Sequence, residues 1–219
     1  MQRWWQRVRS PFDPGRADEN GLVAVGGSLD PELVIVAYRS GVFPWSSQPV
    51  VSWWSPDPRA IFDLATWKVQ RTVRQNVRRG GWRFSVDEAF VEVMRACAEP
   101  APGRESTWIS DDFVRTYTTL HEKGFAHSIE VWEGDALVGG LYGVTLGGFF
   151  GGESMFNRRT DASKAAVMHL VERLRACGFQ LCDAQVPTPH LERIGAIEIS
   201  RGEYLQRLAA ALELDCVFS

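Results

Sequence analysis

Apolar residues and glycines alternate through Ala136–Phe156, ALVGGLYGVTLGGFFGGESMF, which breaks at Leu146-Gly147-Gly148 and carries at Glu153 its first charge after Asp135. A period of two predicts a pair of strands joined by a Gly-Gly turn. Seven glycines lie inside the segment. Glycine in a strand gives up packing and marks a bulge or the close approach of another backbone or a ligand. The segment therefore reads either as a twisted hairpin or as a sheet with an open, bound surface. With Ser128–Trp132 before it, it forms an antiparallel meander: Ser128–Trp132, a Glu-Gly-Asp turn, Ala136–Val144, a Gly-Gly turn and Phe149–Met155.

Elsewhere the period is helical. Ala162–Cys177 has apolar residues at 166, 167, 170, 171 and 174, an amphipathic helix ended by Gly178. Asp30 caps a helix Pro31–Ser40 with proline at its first position and Gly41 beyond its end. Ser110 caps Asp111–Lys123, which stops at Gly124, and Asp87 is the expected cap of a helix within Phe84–Cys97. Gly21–Asp30 reads as a short strand into a Gly-Gly turn, Phe179–Val186 and Gly195–Ile199 as strands, and Gly202–Leu212 as a closing helix. Prolines 44, 49, 56 and 58 predict that the aromatics Phe43, Trp45, Trp53 and Trp54 sit on a stiff irregular loop, facing a cleft or plugging the core.

This pattern divides the chain into a small N-terminal α/β module, residues 1–60, and an α+β domain, residues 61–219. The element order in the second part outlines an acyl-CoA N-acyltransferase (GNAT)-like mixed sheet. In that fold the helix after the meander starts at a glycine-containing loop whose amides hold the coenzyme A pyrophosphate. Here the junction reads Asn157-Arg158-Arg159-Thr160-Asp161-Ala162, without glycine. Coenzyme A is disfavoured, and no other cofactor is implied.

Composition narrows the classes further. A net charge of −3 gives no global pull toward nucleic acid. Locally, Thr66–Arg83 carries Lys68, Arg71, Arg74, Arg78, Arg79 and Arg83, with no acid between Asp63 and Asp87. Steps of three and four set Lys68, Arg71, Arg74 and Arg78 near one helical face, which reads as a phosphate-contacting strip or as a solvated face. The four cysteines show no metal-like spacing, and no metal is expected. MQRWWQRVRS lacks the apolar run of a secretory signal, and the longest uncharged run, Ala136–Gly152, falls short of a membrane span. The cytoplasm is the expected compartment, and nothing demands an oligomer.

Five blocks then resemble one family, the bacterial leucyl/phenylalanyl-tRNA–protein transferases. They are Gly21–Trp45 (GLVAVGGSLDPELVIVAYRSGVFPW), Trp53–Arg59 (WWSPDPR), Thr107–Ile109 (TWI), Ala126–Asn157 (AHSIEVW through GGLYG and FGGESMFN) and Asp161–Ala196 (DASK, then DAQV…H…GA). The resemblance implies a small N-terminal module on an acetyltransferase-like domain. It implies transfer of Leu, Phe or Met from the 3′ end of a charged tRNA to the α-amine of proteins beginning with Arg or Lys, creating an N-degron.

By residue, the resemblance sets Asp183 at the attacking amine, as orienter and possible proton acceptor, with Gln185 relaying or holding the carbonyl side. It sets Glu153 near the reacting ends and Met155 in the apolar pocket for the donor side chain. Trp45 and Trp108 resemble the tryptophans that bracket the terminal adenosine and the pocket, and Arg71 and Arg74 match a helix that meets acceptor-stem phosphates. Period two sets Asp183 with Gln185, and Glu153 with Met155, on shared strand faces.

Three departures from the family pattern stand out. Lys68 and Gln75 stand where a histidine and a second cation are usual, Arg193-Ile194 replaces Ser-Leu, and Asp161 replaces a common asparagine. They bear on tRNA affinity and acceptor preference rather than on the reaction. Two rivals stand beside this reading: a coenzyme A-dependent N-acetyltransferase, suggested by the fold alone, and a non-catalytic module that binds tRNA ends or N-degrons.

Overall fold

In a computed structural model, residues 4–47, 49–100 and 107–218 are described; the Pro/Gly-rich loop expected ahead of Thr107 lies outside them. In chain order the elements are β1 (Leu22–Val25), α1 (Pro31–Arg39), β2 (Phe43–Ser46), β3 (Ser52–Trp54), β4 (Arg59–Phe62) and α2 (Arg71–Gly80). Then come β5 (Arg83–Val86), α3 (Phe90–Ala98), α4 (Asp111–Glu122), β6 (Ala126–Glu133), β7 (Ala136–Leu146) and β8 (Phe149–Asn157). The chain closes with α5 (Ala162–Ala176), β9 (Leu181–Gln185), α6 (Pro189–Arg193), β10 (Ile197–Ile199) and α7 (Arg201–Leu212). The class is α+β. Among the described residues no helix is long and apolar enough to cross a membrane.

The small sheet has the order β1-β3-β2 and the large one β10-β4-β9-β8-β7-β6-β5. Every pairing is antiparallel except β8 with β9, which run parallel through only Phe149↔Leu181, Phe150↔Cys182 and Gly151↔Asp183. Beyond Gly151 and Asp183 the two strands part company. One apolar cluster joins α1, β2 and β3 to α3, α4 and α7, and a second packs α5 on the opposite face of the large sheet. Glycines in β7 make room for neighbours: a Cβ on Gly139 would lie 2.5 Å from Cβ of Ala162 at the start of α5, and one on Gly143 would lie 2.4 Å from the Gly151 carbonyl.

Several sequence expectations hold. Asp30 accepts from the amides of Glu32 and Leu33, Ser110 from that of Phe113, and Gly41, Gly124 and Gly178 take positive φ after their helices.

Others are corrected. The proline-rich segment is not an irregular loop: β2 and β3 pair within it, and Pro44 is tolerated because β2 is an edge strand that needs no donor on its outer side. Of its aromatics, Trp53 is buried and donates Nε1 to the Gly26 carbonyl at 2.8 Å, whereas Trp45 keeps 39% exposure. Lys68 does not join the basic helical face, since α2 begins only at Arg71. Asp87 is not a helix cap: at φ 61° its carboxylate accepts from the Ser128 amide and meets His127 Nδ1 at 2.7 Å, and Ala89 precedes α3 instead.

Candidate active site

Glu153 lies on β8 two residues past the last pairing with β9. Tyr142 opposes Ser154 while the next residue, Gly143, opposes Gly152, so Glu153 is the extra residue of a β-bulge. The bulge overturns the shared face expected for Glu153 and Met155. The Glu153 carboxyl turns to the α1/α4 side, where Tyr38 donates to Oε1 at 2.5 Å and Tyr117 to Oε2 at 2.9 Å. Met155 packs with the α5 cluster on the other face.

The two phenol oxygens also stand 2.6 Å apart. Gln185 Nε2 adds a fourth contact, donating to Oε1 at 2.6 Å. Burial pushes the Glu153 pKa up to about 7, although the bonds from Tyr38, Tyr117 and Gln185 pull against it and Asp183 adds to the rise. Burial, with Glu153 adding to it, raises the phenols of Tyr38, Tyr117 and the neighbouring Tyr142 well above their ordinary value.

Asp183 and Gln185 meet in a way that the period of two did not predict, through the Asp183 carboxylate and the Gln185 amide. Ile61 opposes Asp183 and Ala60 opposes Gln185, so Ala184 is a second bulge, and Gln185 sits at φ 63°. The Asp183 carboxylate, almost wholly buried, receives four donors: Arg59 Nε (2.9 Å) and the Gln185 amide (2.8 Å) on Oδ1, Arg59 Nη2 (2.6 Å) and Tyr204 O–H (3.0 Å) on Oδ2. Burial alone would lower the pKa of the Arg59 guanidinium; Asp183 more than offsets this and keeps Arg59 charged.

Beside Glu153 opens a cavity of ≈ 400 Å³ between the parting strands and α5. Its walls include Phe62, Leu141, Phe150, Met155, Val167 and Leu170. A largely apolar cleft of that size with a few convergent polar groups is the usual form of a small-molecule site.

Trp45 stands edge-on to Trp54 (5.2 Å) and near Phe43 (6.4 Å), whose ring lies 4.7 Å from the Arg59 guanidinium. Trp108 stands edge-on to Phe113 at 5.0 Å, and Phe113 stacks on Tyr117. Each tryptophan is thus one ring away from the polar network. Arg71, Arg74 and Arg78 are exposed on α2, which anchors to α5 through Val73 and Val77 and through Asn76 Nδ2 on Asp161 (2.7 Å). Lys68 is exposed just ahead of that helix, and Arg74 reaches Glu172 of α5 at 4.0 Å. No cluster able to hold a metal ion occurs among the described residues.

Sequence reasoning missed Tyr38, Tyr117, Arg59 and Tyr204. The three tyrosines, on α1, α4 and α7, read as ordinary core positions. Arg59 carried a usable signal: a cation opening the buried strand Arg-Ala-Ile-Phe demands a buried partner.

A family model described as leucyl/phenylalanyl-tRNA protein transferase matches residues 61–209, and one for the N-terminal domain of that transferase matches residues 27–57. A leucyl/phenylalanyl-tRNA–protein transferase of Anaeromyxobacter sp. (strain K) is 53% identical over 203 residues, 92% of this chain and 87% of that protein. One of Shewanella piezotolerans is 50% identical over 205 residues, 93% of this chain and 86% of that protein. Among solved structures, L-PGS from Bacillus licheniformis matches 69% of this chain and 50% of its own at 13% identity, with a TM-score of 0.42, too low to assign a shared fold.

Proposed function

The chain belongs to the leucyl/phenylalanyl-tRNA–protein transferase family and is an aminoacyltransferase, and on that premise we propose that it moves Leu, Phe or Met from a charged tRNA to the α-amine of proteins beginning with Arg or Lys. The product carries an N-degron. The reading takes the large sheet as GNAT-like, residues 1–60 as a module serving the 61–219 domain, and the enzyme as a cytoplasmic monomer.

One observation carries the mechanism: the Glu153 carboxyl, held by Tyr38, Tyr117 and Gln185, stands at the edge of an apolar cavity, where burial pushes its pKa up to about 7. The cavity takes the donor side chain with Met155 against it, which sets the ester carbonyl beside Glu153. An aminoacyl ester is already activated, and an α-amine with pKa of about 7.7–8.0 is partly nucleophilic at neutral pH. Alignment then contributes most of the acceleration.

The amine nitrogen bonds to the carbonyl carbon, and the ester C–O bond to the ribose breaks. Ionised Glu153 takes the amine proton and returns it to the departing ribose oxygen, its pKa matched to both tasks. Gln185 fixes Glu153 and the carbonyl side, and Asp183 supports the amine side through Gln185. Trp45 and Trp108 hold the terminal adenosine, since single-stranded ends are commonly read by stacking. Lys68, Arg71, Arg74 and Arg78 meet acceptor-stem phosphates without reading sequence.

The coenzyme A rival fares worse at the start of α5, where the Ala162 amide is already spent on the Arg159 carbonyl. The test is direct: labelled Leu-tRNA or Phe-tRNA is mixed with an Arg-initiated peptide, beside the same peptide with acetyl-CoA. Label from tRNA alone supports the proposal. Acetylation, or neither product, refutes it.

A further inference from the structure

We propose that Arg59 and Tyr204 are positioning residues for the transfer reaction, acting through Asp183 to hold the backbone of Gln185 in the turn that aims its side chain at Glu153. The inference rests on the transferase reading above for its kinetic part and on geometry for the rest.

Three observations support it. First, Asp183 has no acceptor capacity left. A carboxylate offers about four lone-pair directions, and Arg59 Nε, Arg59 Nη2, Tyr204 O–H and the Gln185 amide take four. Accepting an amine proton would break one of these bonds, so Asp183 serves as a clasp.

Second, what the clasp holds is unusual. Gln185 is a non-glycine residue at φ 63°, a conformation L side chains seldom adopt and retain only where the surroundings over-determine it. The Asp183 side chain accepting from the amide two residues on is the local bond that stabilises such a turn. Without it the strand would relax, and Gln185 Nε2 would leave Glu153 Oε1, now 2.6 Å away.

Third, the cation is built in tightly. The Arg59 guanidinium lies between the rings of Phe43 (4.7 Å) and Tyr204 (4.3 Å), and its Nη1 donates to the Gly41 carbonyl at 3.3 Å. Tyr204 O–H accepts from Nη2 at 3.2 Å and passes its own hydrogen to Asp183. A fully buried ion pair adds little stability over a well-packed apolar substitute. Two forked bonds to one carboxylate do fix its plane, and with it the Gln185 amide.

The experiment is a double-mutant cycle on single-turnover transfer from Leu-tRNA to an Arg-initiated peptide, using Tyr204→Phe, Arg59→Lys and Gln185→Ala. Tyr204→Phe removes one donor and no packing, which guards against a fold too damaged to read. We expect Tyr204→Phe and Arg59→Lys to lower kcat by roughly 10- to 100-fold, as small misplacements do, with KM for Leu-tRNA unchanged. In the Gln185→Ala background the same changes should cost almost nothing more, because the residue they position is gone.

Equal losses in both backgrounds would overturn the proposal, as would a loss confined to KM. Hydrogen exchange at the Gln185 amide is independent of activity and should speed up in Tyr204→Phe. If wild type transfers nothing while that exchange responds, the transferase reading fails and the clasp stands; unchanged exchange overturns the clasp.

Discussion

Replacing Tyr38 by Phe should move the pH at which transfer switches on, leaving the high-pH rate intact. The phenol donates to Glu153 Oε1 at 2.5 Å, and that bond lowers a pKa that burial has raised to about 7. A hydrogen bond to a charged group contributes about 1.5–3 kcal/mol, or about one to two pH units at 1.36 kcal/mol each. The midpoint should therefore rise from near 7 to about 8–9. At pH 7 the ionised fraction falls from about one half to about 1–9%, so transfer slows roughly 5- to 50-fold. Tyr38 is buried among apolar neighbours, so Phe keeps its packing.

The assay is single-turnover transfer from preformed Phe-tRNA to a saturating Arg-initiated peptide between pH 6 and 9, corrected for spontaneous ester hydrolysis. The acceptor amine titrates identically with both enzymes and cancels in the ratio. A variant slowed equally at every pH, with its midpoint unmoved, would refute Glu153 as the proton carrier.

Three further outcomes are expected. Arg71→Ala with Arg74→Ala should weaken tRNA binding and flatten its salt dependence by roughly 1.5–2 in log–log slope; an unchanged slope in a filter-binding titration places the RNA elsewhere. Asp183→Ala leaves the buried Arg59 unpaired and should cost about 3–5 kcal/mol of stability, read as a lower urea midpoint, with Asp183→Asn milder; it should also abolish transfer while sparing tRNA binding. Glu153, raised from 4.5 to about 7, stabilises the fold fully below pH 4.5 in its protonated form and loses that contribution as pH rises through 7, about 3 kcal/mol in all. Glu153→Gln should therefore hold its urea midpoint between pH 5 and 8 better than wild type does.

What the sequence disclosed follows from which signals are local. Asp30-Pro31 with Gly41, and Ser110 with Gly124, marked two helices because a cap and a left-handed terminator act within one turn. The meander was legible because its Glu-Gly-Asp and Gly-Gly turns separate apolar runs of strand length. Prolines 44 and 49 hid β2 and β3, since a backbone without a donor still serves at a sheet edge. The two bulges were invisible: nothing in Gly-Glu-Ser-Met or Asp-Ala-Gln says that a register slips, yet one slip sends Glu153 and Met155 to opposite faces. Asp183, Gln185 and Glu153 were reached through family resemblance. The partners that decide what their carboxyls can do, Tyr38, Tyr117, Arg59 and Tyr204, come from far along the chain.

Those separations have a consequence for assembly. The bonds that define the site join residues 115, 124 and 79 positions apart: Tyr38 to Glu153, Arg59 to Asp183 and Tyr38 to Tyr117. Contacts of such high order form only after the entropy of closing long loops has been met. A fragment without Tyr38 and Arg59 would keep Tyr117 and Gln185 on Glu153 and Tyr204 on Asp183, yet lose the shortest donor to each carboxyl. Competence therefore arrives all at once with the completed fold, and recovered transfer activity is a stringent gauge of refolding: it counts only molecules in which both ends of the chain have met.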